Sequence, residues 1–88
     1  MPHDRNQDLS ELHAWIAAIS PELQISTDEI PVNEVLDLSK SIAYGVTRPG
    51  VPVTAFLAGL ATGRGQDAHT VLSLLNSRAQ QWQEAAAE

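Results

Sequence analysis

Residues 44–65 read YGVTRPGVPVTAFLAGLATGRG, and this stretch decides the fold class. It opens on a turn rich in glycine and proline and continues into a run with no polar side: Val53, Ala55, Phe56, Leu57, Ala58, Leu60 and Ala61. The run has no strand-like alternation and reads as a helix over roughly Pro52–Thr62. A helix without a polar face belongs in the middle of a bundle, so this one is expected at the centre. Ala58, Gly59 and Ala61 would let neighbouring helices approach closely. Gly63 or Gly65 would cap its C-terminus.

Working outward, a second helix is expected before the turn, starting near Pro31, whose missing N–H costs nothing in a first turn. Its buried stripe would be Val35, Leu38, Ile42 and Val46, and it would end at Gly45 or at Arg48-Pro49-Gly50. Glu34 and Asp37 near its positive end suit the helix dipole. A first helix is expected over Asp8–Ile19, with Leu9, Leu12, Trp15, Ile16 and Ile19 on one face. Asp8 would cap it, Glu11 would complete a capping box, and Ser20-Pro21 would stop it. Between Pro21 and Ile30 the chain reads as a polar connection with a short turn near Glu22–Gln24. A last helix would start at the cap Asp67 and run towards Trp82 on a stripe of Val71, Leu75, Ala79 and Trp82. Four helices with short loops make a small all-α four-helix bundle with a central apolar third helix. The expected organisation is a flexible N-terminus over residues 1–7, one helical domain over 8–82 and a fraying end over 83–88.

Composition narrows the function. At 88 residues and 43% hydrophobic content the chain is one small folded domain, not a disordered tail. There is no cysteine, so disulfides and thiolate chemistry are excluded, and a reducing cytoplasm is the expected compartment. No apolar run is long enough to cross a bilayer, and the polar N-terminus has no signal-peptide core. A net charge of −6 argues against nucleic acid and anionic membranes as partners. The histidines His3, His13 and His69 stand apart from one another, so no metal site is legible. No nucleophile-and-base set is present. Carboxylate pairs such as Asp28 with Glu29, and Glu34 with Asp37, read as solvated helix starts. The chain is therefore not expected to be an enzyme, and no catalytic residue is assigned.

The charges are unevenly spread. All eleven acidic residues lie outside Leu38–Gly65, whereas Lys40, Arg48 and Arg64 lie inside it. An acidic protein that keeps one segment purely cationic presents an anion-attracting surface there. The start of the third helix would offer free N–H groups at Val53 and Thr54, with the Thr54 hydroxyl beside them. Arg48 would add a bidentate contact. Arg64 would reach the same edge if the third helix packs antiparallel to its neighbours. Lys40, one turn before Tyr44, would extend the strip, and His69 is a weaker member beside the Arg64 loop. The competing reading is that Arg48 and Arg64 cap the carbonyls that end the second and third helices. Tyr44 is expected to pack with its hydroxyl at the rim. Trp15 and Trp82 are expected in the core, on each other or on Phe56; the alternative is an exposed aromatic anchor for a partner.

The segments Val35–Leu38, Ile42–Pro49, Pro52–Ala61 and Gly63-Arg64 together resemble a small bacterial helical domain of unassigned function. That domain occurs alone or at the C-terminus of enzymes similar to molybdenum cofactor guanylyltransferases, and the resemblance spans roughly residues 9–80. The residues matching its most recognisable turn are Gly45, Arg48, Pro49, Pro52, Gly59 and Arg64. The resemblance implies an accessory role in molybdenum cofactor handling, or in maturation of an enzyme such as formate dehydrogenase. A phosphorylated pterin-type cofactor is the ligand it implies.

These readings combine into one expectation. The chain is a non-enzymatic accessory module that binds a partner protein, or a phosphorylated cofactor, at the Arg48 and Arg64 edge. The alternative is a purely structural interaction domain, including a homodimer, since small domains often gain core area by association. DNA binding fits poorly: the cationic residues are few and the candidate recognition helix is apolar all round.

Overall fold

The computed structural model describes the backbone of residues 5–87 and the side-chain surroundings of residues 9–85. Among the described residues there are four α-helices: α1 (Arg5–Ile19), α2 (Val32–Gly45), α3 (Gly50–Gly63) and α4 (Ala68–Ala87). No strand occurs among the described residues, so the fold is all-α. The chain divides into two compact units at Ile30 and Pro31.

In the first unit, α1 begins before Asp8, which lies inside the helix instead of capping it. Residues 1–4, and with them His3, lie outside the described residues. Pro21 ends α1, and the chain tightens into a 3₁₀ turn over Ser20–Leu23. The Ser20 hydroxyl donates to the Ile16 carbonyl at 2.6 Å, and Gln24 closes the turn in the left-handed region at φ 59°. A second 3₁₀ turn, Thr27–Glu29, is held by a capping box: the Ser26 Oγ accepts from Asp28 N–H, and the Glu29 carboxylate accepts from Ser26 N–H. The connection that reads as mostly irregular from sequence is therefore two hydrogen-bonded turns.

In the second unit, α2 packs against both α3 and α4, and α3 packs against α4. Leu38 and Ile42 of α2, Ala58 of α3, and Val71, Leu72 and Ala79 of α4 are buried together, with Val35, Val51, Ala61 and Leu75 against them. Val35, Leu38 and Ile42 on α2 and the start of the α4 stripe are used as expected, whereas Val46 lies past the end of α2 and is exposed. Glu34 near the start of α2 meets His69 near the start of α4, and Gly45 at the end of α2 meets Ala79 and Gln83. The two helices thus run in the same direction. Close approach at the far end depends on glycine: a Cβ on Gly45 would lie 3.1 Å from the Ala79 carbonyl oxygen.

The caps explain where the elements stop. Asp67 caps α4, its Oδ2 accepting from Thr70 N–H and Thr70 Oγ1, each at 2.9 Å. At the end of α3, Gln66 N–H donates to Ala61 O and Gly65 N–H donates to Thr62 O. This paired pattern is a Schellman motif, and Gly65 supplies the left-handed residue it needs at φ 106°. Helix α4 continues through the alanine-rich end to Ala87, past the point where fraying is expected from the sequence.

The third helix is not central. Its small residues face inward, Ala58 buried with Val51 and Ala61 beside it, while Val53, Phe56, Leu57 and Leu60 are exposed. Gly59 does not mediate close packing, because a Cβ there would meet nothing within 4 Å. The tryptophans are not core residues either: Trp15 is 61% exposed and Trp82 63%. Where the end of α2 meets α4 it faces Ala79 and Gln83, which leaves Trp82 turned to the side. Tyr44 is exposed as well, not packed with only its hydroxyl at the rim.

Candidate partner-binding surface

The outward face of α3 follows from helix geometry. Val53, Phe56, Leu57 and Leu60 stand at i, i+3, i+4 and i+7, so they form one stripe. They are 60%, 72%, 53% and 41% exposed, against 6% for Ala58 on the other side. A surface helix ordinarily turns its large apolar residues to the core and polar ones to water. Here the small residues let α3 sit close to α2 and α4, and the large ones are left outside. From Gly50 to Gly63 the helix carries no charged residue.

The cationic residues expected at one edge are not brought together. Arg48 precedes α3 and Arg64 follows it, so at about 1.5 Å per residue they stand roughly 24 Å apart. No single phosphate group bridges that span. Both arginines are exposed, and among the described residues neither guanidinium makes a hydrogen bond or ion pair. They do not cap the helices: Val46 and Thr47 N–H groups close α2 on the Ile42 carbonyl, and backbone groups at Arg64, Gly65 and Gln66 close α3. Lys40 is exposed on α2 together with Tyr44, one turn further along the same face.

The start of α3 also differs from the one expected to present Val53 and Thr54. The helix starts at Gly50, not at Pro52, so both residues lie inside it. Of the positions whose N–H groups a helix start leaves open, Pro49 and Pro52 have none to offer. The other two are engaged, Gly50 N–H on Thr47 O at 3.2 Å and Val51 N–H on Arg48 O at 3.0 Å. Thr54 is half-buried within the first turns.

His69 does not join the Arg64 loop. Its Nδ1 donates to the Glu34 Oε1 at 2.5 Å, tying the starts of α4 and α2. The hydrogen bond and the charge of Glu34 raise the His69 pKa above the ordinary 6.5. Hydrogen bonds from the Thr70 backbone and hydroxyl lower the Asp67 pKa below 3.8, so the α4 cap is ionised at neutral pH.

Beside this pair, Glu34, Asp37, Leu72, Ser73 and Asn76 line a shallow groove of about 190 Å³ between α2 and α4. The Asn76 Oδ1 is buried there, with no hydrogen-bond partner among the described residues. Among the described residues no group of three His, Cys, Asp or Glu side chains is close enough to hold a metal ion. No helix among them is long and apolar enough to cross a membrane.

The outward stripe on α3 is not legible from sequence, because an all-apolar helix carries no signal of which side faces in. Its one clue was the size pattern, with Ala55, Ala58 and Ala61 on one side and Val53, Phe56, Leu57 and Leu60 on the other. Comparison with known proteins adds no activity: no curated protein and no solved structure matches the chain. A family profile does match over residues 7–87, and the chain therefore belongs to the family described as a domain of unknown function, DUF6457.

Proposed function

We propose that this domain is a non-catalytic accessory module that docks on a partner protein through the outward face of α3. The observation that carries the reading is the inverted helix. Four large apolar side chains are held in water at i, i+3, i+4 and i+7, while Ala58, with Val51 and Ala61 beside it, faces the core. Together the four expose roughly 400 Å² of apolar surface, within the range of about 300–600 Å² for the largest patch of a typical monomer, a patch that is often functional. Small-ligand binding at an anion edge draws less support, because Arg48 and Arg64 stand at opposite ends of α3 and, at its start, Gly50 and Val51 N–H are engaged while Pro49 and Pro52 have none. The resemblance to bacterial domains fused to molybdenum cofactor guanylyltransferase-like proteins makes cofactor handling, and maturation of molybdenum enzymes, the process in which to look first. The phosphorylated pterin would then travel on the partner.

The test is native mass spectrometry of the protein isolated gently from its own cells, as wild type, Phe56→Glu and Arg48→Glu. A second protein chain retained by wild type and lost from Phe56→Glu supports the module. A small-molecule adduct lost only from Arg48→Glu would replace it with a cofactor carrier. A homodimer split by Phe56→Glu would make the domain a self-associating structural element.

A further inference from the structure

We infer that the groove between α2 and α4 is a second binding site, one that takes the guanidinium of an arginine side chain presented by a basic segment of another protein. The site is separate from the outward face of α3 and does not depend on how that face is read.

Its lining follows from helical phase. Glu34 and Asp37 stand at i and i+3 on α2, and His69, Leu72, Ser73 and Asn76 stand at i, i+3, i+4 and i+7 on α4, so each set occupies one stripe. The two helices run side by side in the same direction, and their stripes meet across the groove. Leu72 is buried and supplies an apolar floor, while Asp37 and Ser73 are exposed at the rim. His69 holds Glu34 at one end, which leaves Asp37 as the carboxylate open to a partner.

The polar groups there are acceptors in want of donors. Asp37 makes no ion pair among the described residues, and none of the five residues that line the groove is basic. The Asn76 Oδ1 is buried and likewise unpaired among the described residues. A buried acceptor left unpaired is costly, and proteins ordinarily supply its partner. A guanidinium suits the set because it carries five N–H donors in one plane and no acceptor. Its weaker hydration also makes it easier to strip of water than the ammonium of lysine. At about 190 Å³ the groove admits the end of one side chain, whereas pockets for whole small molecules run to about 300–1,000 Å³. The net charge of −6 draws a basic segment towards the chain.

The test titrates the full, ¹⁵N-labelled chain with three glycine–serine peptides that differ only in a central arginine, lysine or citrulline. Citrulline keeps the shape of arginine and loses its charge. The arginine peptide is expected to shift the signals of Ser73 and Asn76, and to bind about tenfold more tightly than the citrulline peptide and roughly threefold more tightly than the lysine one. Asp37→Asn should weaken it about tenfold, with circular dichroism showing the fold intact. Asn76→Leu should weaken binding while leaving the melting temperature equal or higher, because it removes the unpaired buried acceptor. A purely structural asparagine would not divide the two readouts in that way. Phe56→Glu should leave the titration unchanged.

Equal shifts from arginine and citrulline would refute a charged occupant. Arginine and lysine peptides of equal affinity, both lost in Asp37→Asn, would replace the guanidinium with any cation. Shifts spread over the acidic residues and indifferent to Asp37→Asn would mean diffuse attraction with no site. Loss of binding in Phe56→Glu would move the contact to α3, and silence towards all three peptides at millimolar concentration would overturn the inference while leaving the α3 reading untouched.

Discussion

Replacing Gly59 with alanine should stabilise this protein, and the size of the effect follows from what surrounds the residue. Gly59 lies well inside α3, and a Cβ there would meet nothing within 4 Å. No neighbour has to move. The remaining terms are helix propensity and the unfolded chain's lost freedom, which together favour alanine by about 0.5–1 kcal/mol. For a domain of this size each kcal/mol moves the melting temperature by about 4–8 °C, so the gain should be roughly 2–8 °C. Thermal melts followed at 222 nm, with urea titrations checking that the slope is unchanged, measure it directly. A fall in melting temperature would refute the reasoning, because it would mean that something packs against this side of α3. That result would restore the central helix expected from sequence and remove the open face on which the functional reading rests.

Gly45→Ala should act in the opposite sense. The new Cβ would lie 3.1 Å from the Ala79 carbonyl oxygen, which belongs to the α4 backbone and cannot swing aside, so a loss of about 1–2 kcal/mol in urea is expected. An unchanged midpoint would show that the α2–α4 approach is looser than described. The His69–Glu34 pair gives a pH signature. Because the His69 pKa is raised, the folded protein holds that proton more tightly than the unfolded chain. The pair's contribution is complete below about pH 6.5 and is lost as pH rises through the raised value. Proton NMR of the His69 ring should report the raised value in wild type and a lower one in Glu34→Gln. Identical titrations would refute the pairing.

The parts of the fold that sequence made legible are those where polar and apolar residues alternate with helical phase. Leu38 and Ile42 on α2, and Val71 on α4, are buried as the spacing requires. Asp67 caps α4, and of the glycines weighed for the end of α3 it is Gly65 that takes the left-handed conformation. Phase is what α3 lacks. With nearly every position apolar, nothing in its pattern distinguishes inside from outside, and side-chain size decided the matter: alanine permits closer packing than phenylalanine. Trp82 shares the helical phase of Val71, Leu75 and Ala79 but lies outside the core, since the end of α2 meets α4 at Ala79 and Gln83. Sequence puts Arg64 at the Arg48 edge only on the condition that antiparallel packing of α3 brings them together, whereas the whole of α3 lies between them. The early start of α3 was hidden by Gly50 and Pro52, which signal a turn but here continue into the helix once Gly50 and Val51 find acceptors in the preceding turn.

The inverted orientation of α3 has a bearing on how this domain can change over generations. In most small proteins a large apolar residue is held fixed by the core it fills, so altering it costs about 2–5 kcal/mol of stability. Val53, Phe56, Leu57 and Leu60 stand outside the core, which here is filled by alanine and by residues of α2 and α4. Substitutions along that stripe are therefore nearly neutral for folding and free to drift under other pressures. The helix separates the residues that keep the domain folded from those that can be rewritten, and one scaffold could acquire a new neighbour by changing four side chains without rebuilding its interior.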